Sequence, residues 1–151
     1  MNKLLLPLPL MIACFCGGCA RPKSEYELIN VNRTYSFCSN SDKSYVIDIV
    51  RRKYMECHHS ILTMTVPGTA NFRTDVSTIV HEKDSPDGSK AFLAEYIGSH
   101  IYLLSTYIKD GNSECKTRVT SYVAWSTLEH QMKIIEGWVK GTASGCKLEP
   151  L

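Results

Sequence analysis

The chain opens with one unbroken apolar run and then breaks into short, patterned segments. Leu4 to Cys16 is almost wholly apolar, with Lys3 before it and Gly17-Gly18 after it. That run is too short to span a bilayer comfortably, and a positive start with a small-residue end fits a secretory signal. Further on, Tyr26 to Asn32 and Thr34 to Phe37 alternate loosely and read as strands. Over Tyr45 to Cys57, the residues Val46, Ile49, Val50, Tyr54 and Cys57 share a helical stripe, and Asp42 stands where a cap would. The β-branched residues Val46, Ile47, Ile49 and Val50 favour a strand instead. The stripe decides for a helix near 43–56.

From Ser60 the pattern is mostly that of strands. Ile61 to Val66 ends at Pro67-Gly68, and Phe72 to Glu82 ends at the polar cluster Lys83 to Ser89. Ala91 to Ile97 follows, closed by Gly98-Ser99. Ile101 to Ile108 and Cys115 to Trp125 flank Asp110-Gly111-Asn112, which reads as a hairpin connection. Val119, Val123 and Trp125 share the face expected to meet the core. Ser126 and Glu129 have capping-box spacing, and Leu128, Met132, Ile135 and Val139 form one stripe beside Ile134 and Trp138. Gly141 is placed to end this helix, and Gly137 inside it is a mild cost. The expected fold is α+β: an antiparallel meander of hairpins with a C-terminal helix packed on one face and a second helix near 43–56.

Removing a signal of 18 residues from the 151 leaves enough chain for one domain with a proper core and little room for another. Lys3 is the only charge lost with it, so 16 of the 17 Lys and Arg face 15 Asp and Glu. That near-balance argues against a nucleic-acid surface. Of seven cysteines, Cys14 and Cys16 leave with the signal. Cys38, Cys57, Cys115 and Cys146 form an even set suited to disulfides in an oxidising compartment. Three pairings are open. Cys38–Cys57 with Cys115–Cys146 is favoured because each bond then ties neighbouring segments.

Gly17-Gly18 immediately before Cys19 resembles the end of a bacterial lipoprotein signal. There the peptide is removed and the new N-terminal cysteine is acylated. Cys16 stands where the family usually has an aliphatic residue. Met11-Ile12-Ala13 before Cys14 is a rival site with a shorter apolar core, and a plain secretory signal cut near Gly18 or Ala20 is the alternative. The resemblance implies lipid attachment at Cys19, a tether over 19–25 and a single disulfide-stabilised domain over 26–151. Ala20, rather than Asp, after the cysteine implies sorting to the outer membrane, facing the periplasm. A soluble secreted or periplasmic protein is the alternative.

Candidate chemistry is sparse. Cys57-His58-His59 after Glu56 suggests a metal cluster, but adjacent side chains do not converge easily on one ion, and no matching pair lies elsewhere. The stretch reads as a polar turn. His81-Glu82 begins like a zinc-protease helix, yet Ser85 stands where the second His is required. Ser113-Glu114-Cys115-Lys116 has Ser-x-x-Lys spacing, but it leaves a hairpin turn where that geometry is lost. Asp84 and Asp87 lack the alternating acidic ligands and closing Glu of a calcium loop. His100 and His130 stand alone. No metal, cofactor or catalytic residue is therefore assigned.

Two functions follow as expectations. The first is a membrane-anchored, non-catalytic interaction module whose partner is another envelope protein, in an assembly, accessory or inhibitor role. If the sheet leaves one face uncovered, tyrosines among Tyr96, Tyr102, Tyr107 and Tyr122 would furnish the contact. The alternative is an envelope hydrolase built from His58, His59, His81 or His100 with Asp75, Glu82 or Glu95, which requires two histidines and a carboxylate to converge in a pocket. A small-ligand carrier would require an apolar cavity under the helix.

Overall fold

The computed structural model describes residues 21–31, 33–59, 61–65, 73–98 and 100–146, with backbone alone at 61–65 and 73–77. The signal, Cys19 and Pro67-Gly68 lie outside the described residues. Helix α1 (Glu25–Ile29) is followed by β1 (Thr34–Ser39), α2 (Lys43–His58) and β2 (Ile61–Thr65). Then come β3 (Arg73–Asp84), β4 (Lys90–Tyr96), β5 (Ile101–Asn112) and β6 (Cys115–Val123). A 3-10 turn (Ser126–Leu128) leads into α3 (Glu129–Lys140).

The strands form one antiparallel sheet in the order β1-β6-β5-β4-β3-β2. β2 to β6 run as a meander, and β1 returns to pair with β6. Consecutive strands β1 and β2 therefore lie on opposite edges, and α2 joins them. The helix starts where Lys43 bonds Gly88 and Asp110 and ends where the His58 carbonyl accepts from Thr78, so much of its length, about 24 Å for 16 residues, runs along β3 to β5. Burial explains why a segment rich in β-branched residues is a helix. Val46, Val50, Tyr54 and Cys57 are buried along one stripe, and burial at over 1 kcal/mol for each large apolar side chain outweighs propensity losses of about 0.5 kcal/mol.

α2 and α3 lie together on one face of the sheet. Phe37, Phe92, Ile108, Val119, Ile135 and Trp138 are buried between the layers. The glycine inside α3 has a packing reason. A methyl group on Gly137 would sit 2.7 Å from the Ala143 Cβ, so the chain leaving the helix folds back over that glycine. Gly141 ends the helix at φ 71°, as expected.

Three local readings change. Tyr26 to Asn32 is not a strand: α1 occupies it, started by Ser24, whose Oγ accepts from the Glu27 N–H at 3.1 Å. Glu27 in turn accepts from the Lys23 N–H at 2.7 Å, a capping pair at Ser-x-x-Glu spacing. Ser126 and Glu129 do not form the box expected of them. Ser126 enters the 3-10 turn, and Leu128 caps α3 without a side-chain bond. The β5–β6 connection is Ser113-Glu114, because pairing continues to Asn112 opposite Cys115.

The favoured disulfide pairing is also overturned. Cys38 bonds Cys115, and Cys57 bonds Cys146, with Cα separations of 5.6 and 5.3 Å. Cys38 precedes α2 and Cys57 lies in its last turn, so the helix holds them apart. The β1–β6 pairing brings Cys38 to the start of β6, and the end of α2 lies beside the segment that leaves α3. Each bond joins distant parts of the chain.

The body also begins before residue 26. Pro22 is buried, and its carbonyl accepts from the Tyr102 N–H at 2.9 Å.

Candidate binding cavity

A cavity of about 470 Å³ opens at the end of the two layers, where α2 stops and α3 begins. Its floor is Ala94, Leu103 and Leu104. In regular pleating, consecutive residues of β5 would point to opposite faces. Here the register shifts between Ala94 and Glu95: Ala94 faces Leu104 and Glu95 faces Tyr102. Leu103 is the extra residue of a bulge, which turns it and Leu104 into the same space. Leu128, from the 3-10 turn, forms part of the roof with Gln131. The Cys57–Cys146 bond closes one side.

Two polar side chains in this largely carbon lining each carry an atom without a partner. His58, the last residue of α2, is 7% exposed, and its Nε2 has no hydrogen bond. Burial alone pushes its pKa down to about 4, so the ring is neutral at physiological pH. The Gln131 Oε1 is likewise buried and unpaired, while its Nε2 lies 2.9 Å from His130 Nε2. Leaving a buried donor or acceptor unpaired costs about 1–3 kcal/mol. By contrast, Tyr54 is fully buried on this face with its hydroxyl paired to Thr106 at 2.6 Å, which pairs with Ser121 at 2.8 Å.

The opposite face carries a second constellation. His81 Nε2 and His100 Nδ1 lie 2.6 and 2.7 Å from the two carboxylate oxygens of Glu95. The Glu95 side chain is 10% exposed, whereas those of His81 and His100 are 44% and 84% exposed. Burial pushes the Glu95 carboxyl up, but the two histidines outweigh it and the net displacement is downward. His100 is held at φ 52° in the β4–β5 turn, which few non-glycine residues adopt. Two histidines and a carboxylate therefore converge, but on an open surface.

The remaining sequence candidates are dispersed. Glu82 is bound by Arg51 through two 2.8 Å contacts and by Lys90 at 3.2 Å. Arg51 above all holds its carboxyl at about 2. His59 is exposed beyond α2, and the side chain of Asp75 lies outside the described residues. Glu56, Cys57 and Cys146 approach one another, but both sulfurs are in the disulfide and offer no thiolate. No helix among the described residues is long and apolar enough to cross a membrane.

No known protein family, curated protein or solved structure matches this chain.

The sequence reading missed His58 and Gln131 as cavity residues and took Cys57-His58-His59 for a polar turn. The available signal was position: His58 falls one residue after Cys57 on the buried stripe of α2. Gln131 carried no such signal, because the residues that line the cavity with it come mostly from other elements.

Proposed function

We propose that this chain is an anchored, non-catalytic interaction module of the bacterial envelope, acylated at Cys19 and working beside another envelope protein. The observation that supports this reading is the state of the second sheet face. Among the elements of the described residues, the five-residue α1 is the one that lies over it, on β5 and β6. Beside α1 there is a hollow of about 440 Å³ whose walls include Tyr107, Thr120, Tyr122 and Lys109. Tyr107 and Tyr122 meet edge to face at 5.7 Å and stay partly exposed. Tyrosine is enriched at interfaces because it offers large contact area with a polar tip.

The convergence of His81, Glu95 and His100 favours the second reading, an envelope hydrolase. Their exposure weighs against it, since catalytic electrostatics are strongest in a water-excluded site.

One experiment tests the proposal. The full chain is crosslinked in intact cells and captured, and Tyr122→Ala with Lys109→Ala is captured in parallel. One dominant protein partner, lost in the double variant, is the expected result. No partner at good bait recovery, or a Cys19→Ser chain that is fully processed and still stays in the membrane fraction, overturns it.

A further inference from the structure

We infer that the cavity between α2, the bulged β4–β5 hairpin and the start of α3 is a binding site for an uncharged, mainly hydrocarbon small molecule carrying one hydroxyl or N–H group. The inference stands apart from the reading of the second face as a protein contact. Three independent features of the cavity agree on this class of occupant.

Size is the first. At about 470 Å³ the space lies within the roughly 300–1,000 Å³ of small-molecule sites and is far larger than a packing defect. Lining is the second. Ala94, Leu103, Leu104 and Leu128 present carbon, and the bulge at Leu103 directs two consecutive leucines inward where a regular strand would direct one. The third is the pair of orphaned polar atoms. His58 Nε2 and Gln131 Oε1 are both buried and unpartnered, and both belong to residues that line the cavity. A core under selection for stability alone would pair such groups or replace them with carbon. A ligand donor relieves the Gln131 Oε1, which can only accept. His58 Nε2 can accept or donate according to tautomer, so a hydroxyl suits either state.

Charge sets the remaining limit. Among the described residues no Asp, Glu, Lys or Arg lines the cavity, and besides His58 its titratable lining is His130. An ionised ligand would therefore leave water without a counter-charge, which is unfavourable by several kcal/mol. A neutral molecule with a single polar group is the class that fits.

The test uses N-phenyl-1-naphthylamine, an uncharged aromatic with one N–H whose emission rises in apolar surroundings. It is titrated into the full chain carrying Cys19→Ser, secreted through its own leader, so that neither an acyl anchor nor detergent competes. Saturable binding of one probe per chain is expected. It should come with quenching of Trp138, whose ring lies 6.1 Å from that of His58. Leu128→Trp should fill the cavity and weaken binding at least about tenfold, because the indole occupies the ligand's volume. His58→Phe keeps a ring but removes the polar atom, and it should weaken binding about two- to tenfold, the worth of one hydrogen bond. Binding that fails to saturate, or that leaves Trp138 unquenched, overturns the inference. So does unchanged affinity in a Leu128→Trp chain that still unfolds cooperatively. If Leu128→Trp does not fold, His58→Phe decides in its place, and unchanged affinity there overturns the inference.

Discussion

The two faces of the sheet treat ionisable groups in opposite ways. Under α2 and α3, His58 is buried among carbon with its Nε2 unpaired, and it gives up its charge. On the other face the carboxylate is the buried partner, and the histidines that hold it stand in water. Glu95 keeps its charge because His81 and His100 supply hydrogen bonds that outweigh desolvation. A third case lies nearby: Glu25 accepts from both Tyr107 and Lys83 and ties α1 to the sheet. Burial by itself therefore does not decide the state of a group; what decides it is whether the fold brings a partner. The helix face is built for apolar packing and leaves its polar exceptions at one end. The opposite face is held by paired polar groups around a small apolar contact.

The strongest way to break that comparison is to remove one apolar anchor from each face. Phe92 is fully buried and packs its ring 5.6 Å from that of Tyr54. Phe92→Ala should destabilise the protein by about 4 kcal/mol, the usual result for a buried aromatic. Leu28 is also fully buried, but α1 is a single short helix. Leu28→Ala should cost about 3 kcal/mol if α1 is an integral layer. Urea unfolding of both variants measures the difference. A Leu28 loss below about 1 kcal/mol would mean that α1 is peripheral and that the second face is open in solution.

Acid gives the next largest effect. Above pH 6.5, His58 is neutral in both folded and unfolded chains and has no influence. As pH falls from 6.5 toward 4, the unfolded chain takes up a proton that the folded chain refuses. Stability present above pH 6.5 is then lost progressively, by up to about 3 kcal/mol at pH 4. His58→Phe should flatten this slope. Unfolding midpoints at pH 7 and pH 4.5, compared between the two proteins, decide it. An equal acid loss in both would show that His58 is protonated or paired when folded.

Much of the fold was readable in the sequence because its signals are local. The stripe over Met132 to Val139, the alternation along β6 and the stop at Gly141 each depend on a few neighbouring residues. α2 was readable by its stripe, although the burial that makes the stripe outweigh its β-branched residues comes from the sheet beneath it and is global. The same capping motif misled in one place and was overlooked in another. Ser24-x-x-Glu27 lies inside an alternating segment that looks like a strand, whereas Ser126-x-x-Glu129 heads a strong helix whose first turn is 3-10. The disulfides were misread because closeness in sequence was taken for closeness in space. The cavity was out of reach altogether. It is assembled from α2, a bulge in β5, the 3-10 turn and a disulfide, and a bulge leaves no mark in a pattern of leucines. His100 looked isolated because its partner is set by an unusual backbone angle, and His81 reaches Glu95 only through the β3–β4 register.

Glu95 gives the smallest effect and the sharpest test of the idea that pairing decides. Its displacement is downward, so it adds stability at neutral pH that is lost as pH falls through and below its ordinary value of 4.5. The side chains of His81 and His100 are 44% and 84% exposed, so solvent screening limits the whole arrangement to about 1 kcal/mol or less. Glu95→Gln should therefore destabilise the protein slightly at pH 7. The difference from the unaltered chain should close as pH falls below about 4.5, where the carboxylate itself is being neutralised. His58 predicts a loss that sets in already between pH 6.5 and 4.5, so a Glu95→Gln difference that closes only below that interval would separate the two faces by pH alone. A difference that does not change with pH would mean that Glu95 is held by packing and that the histidines lie beside it without consequence.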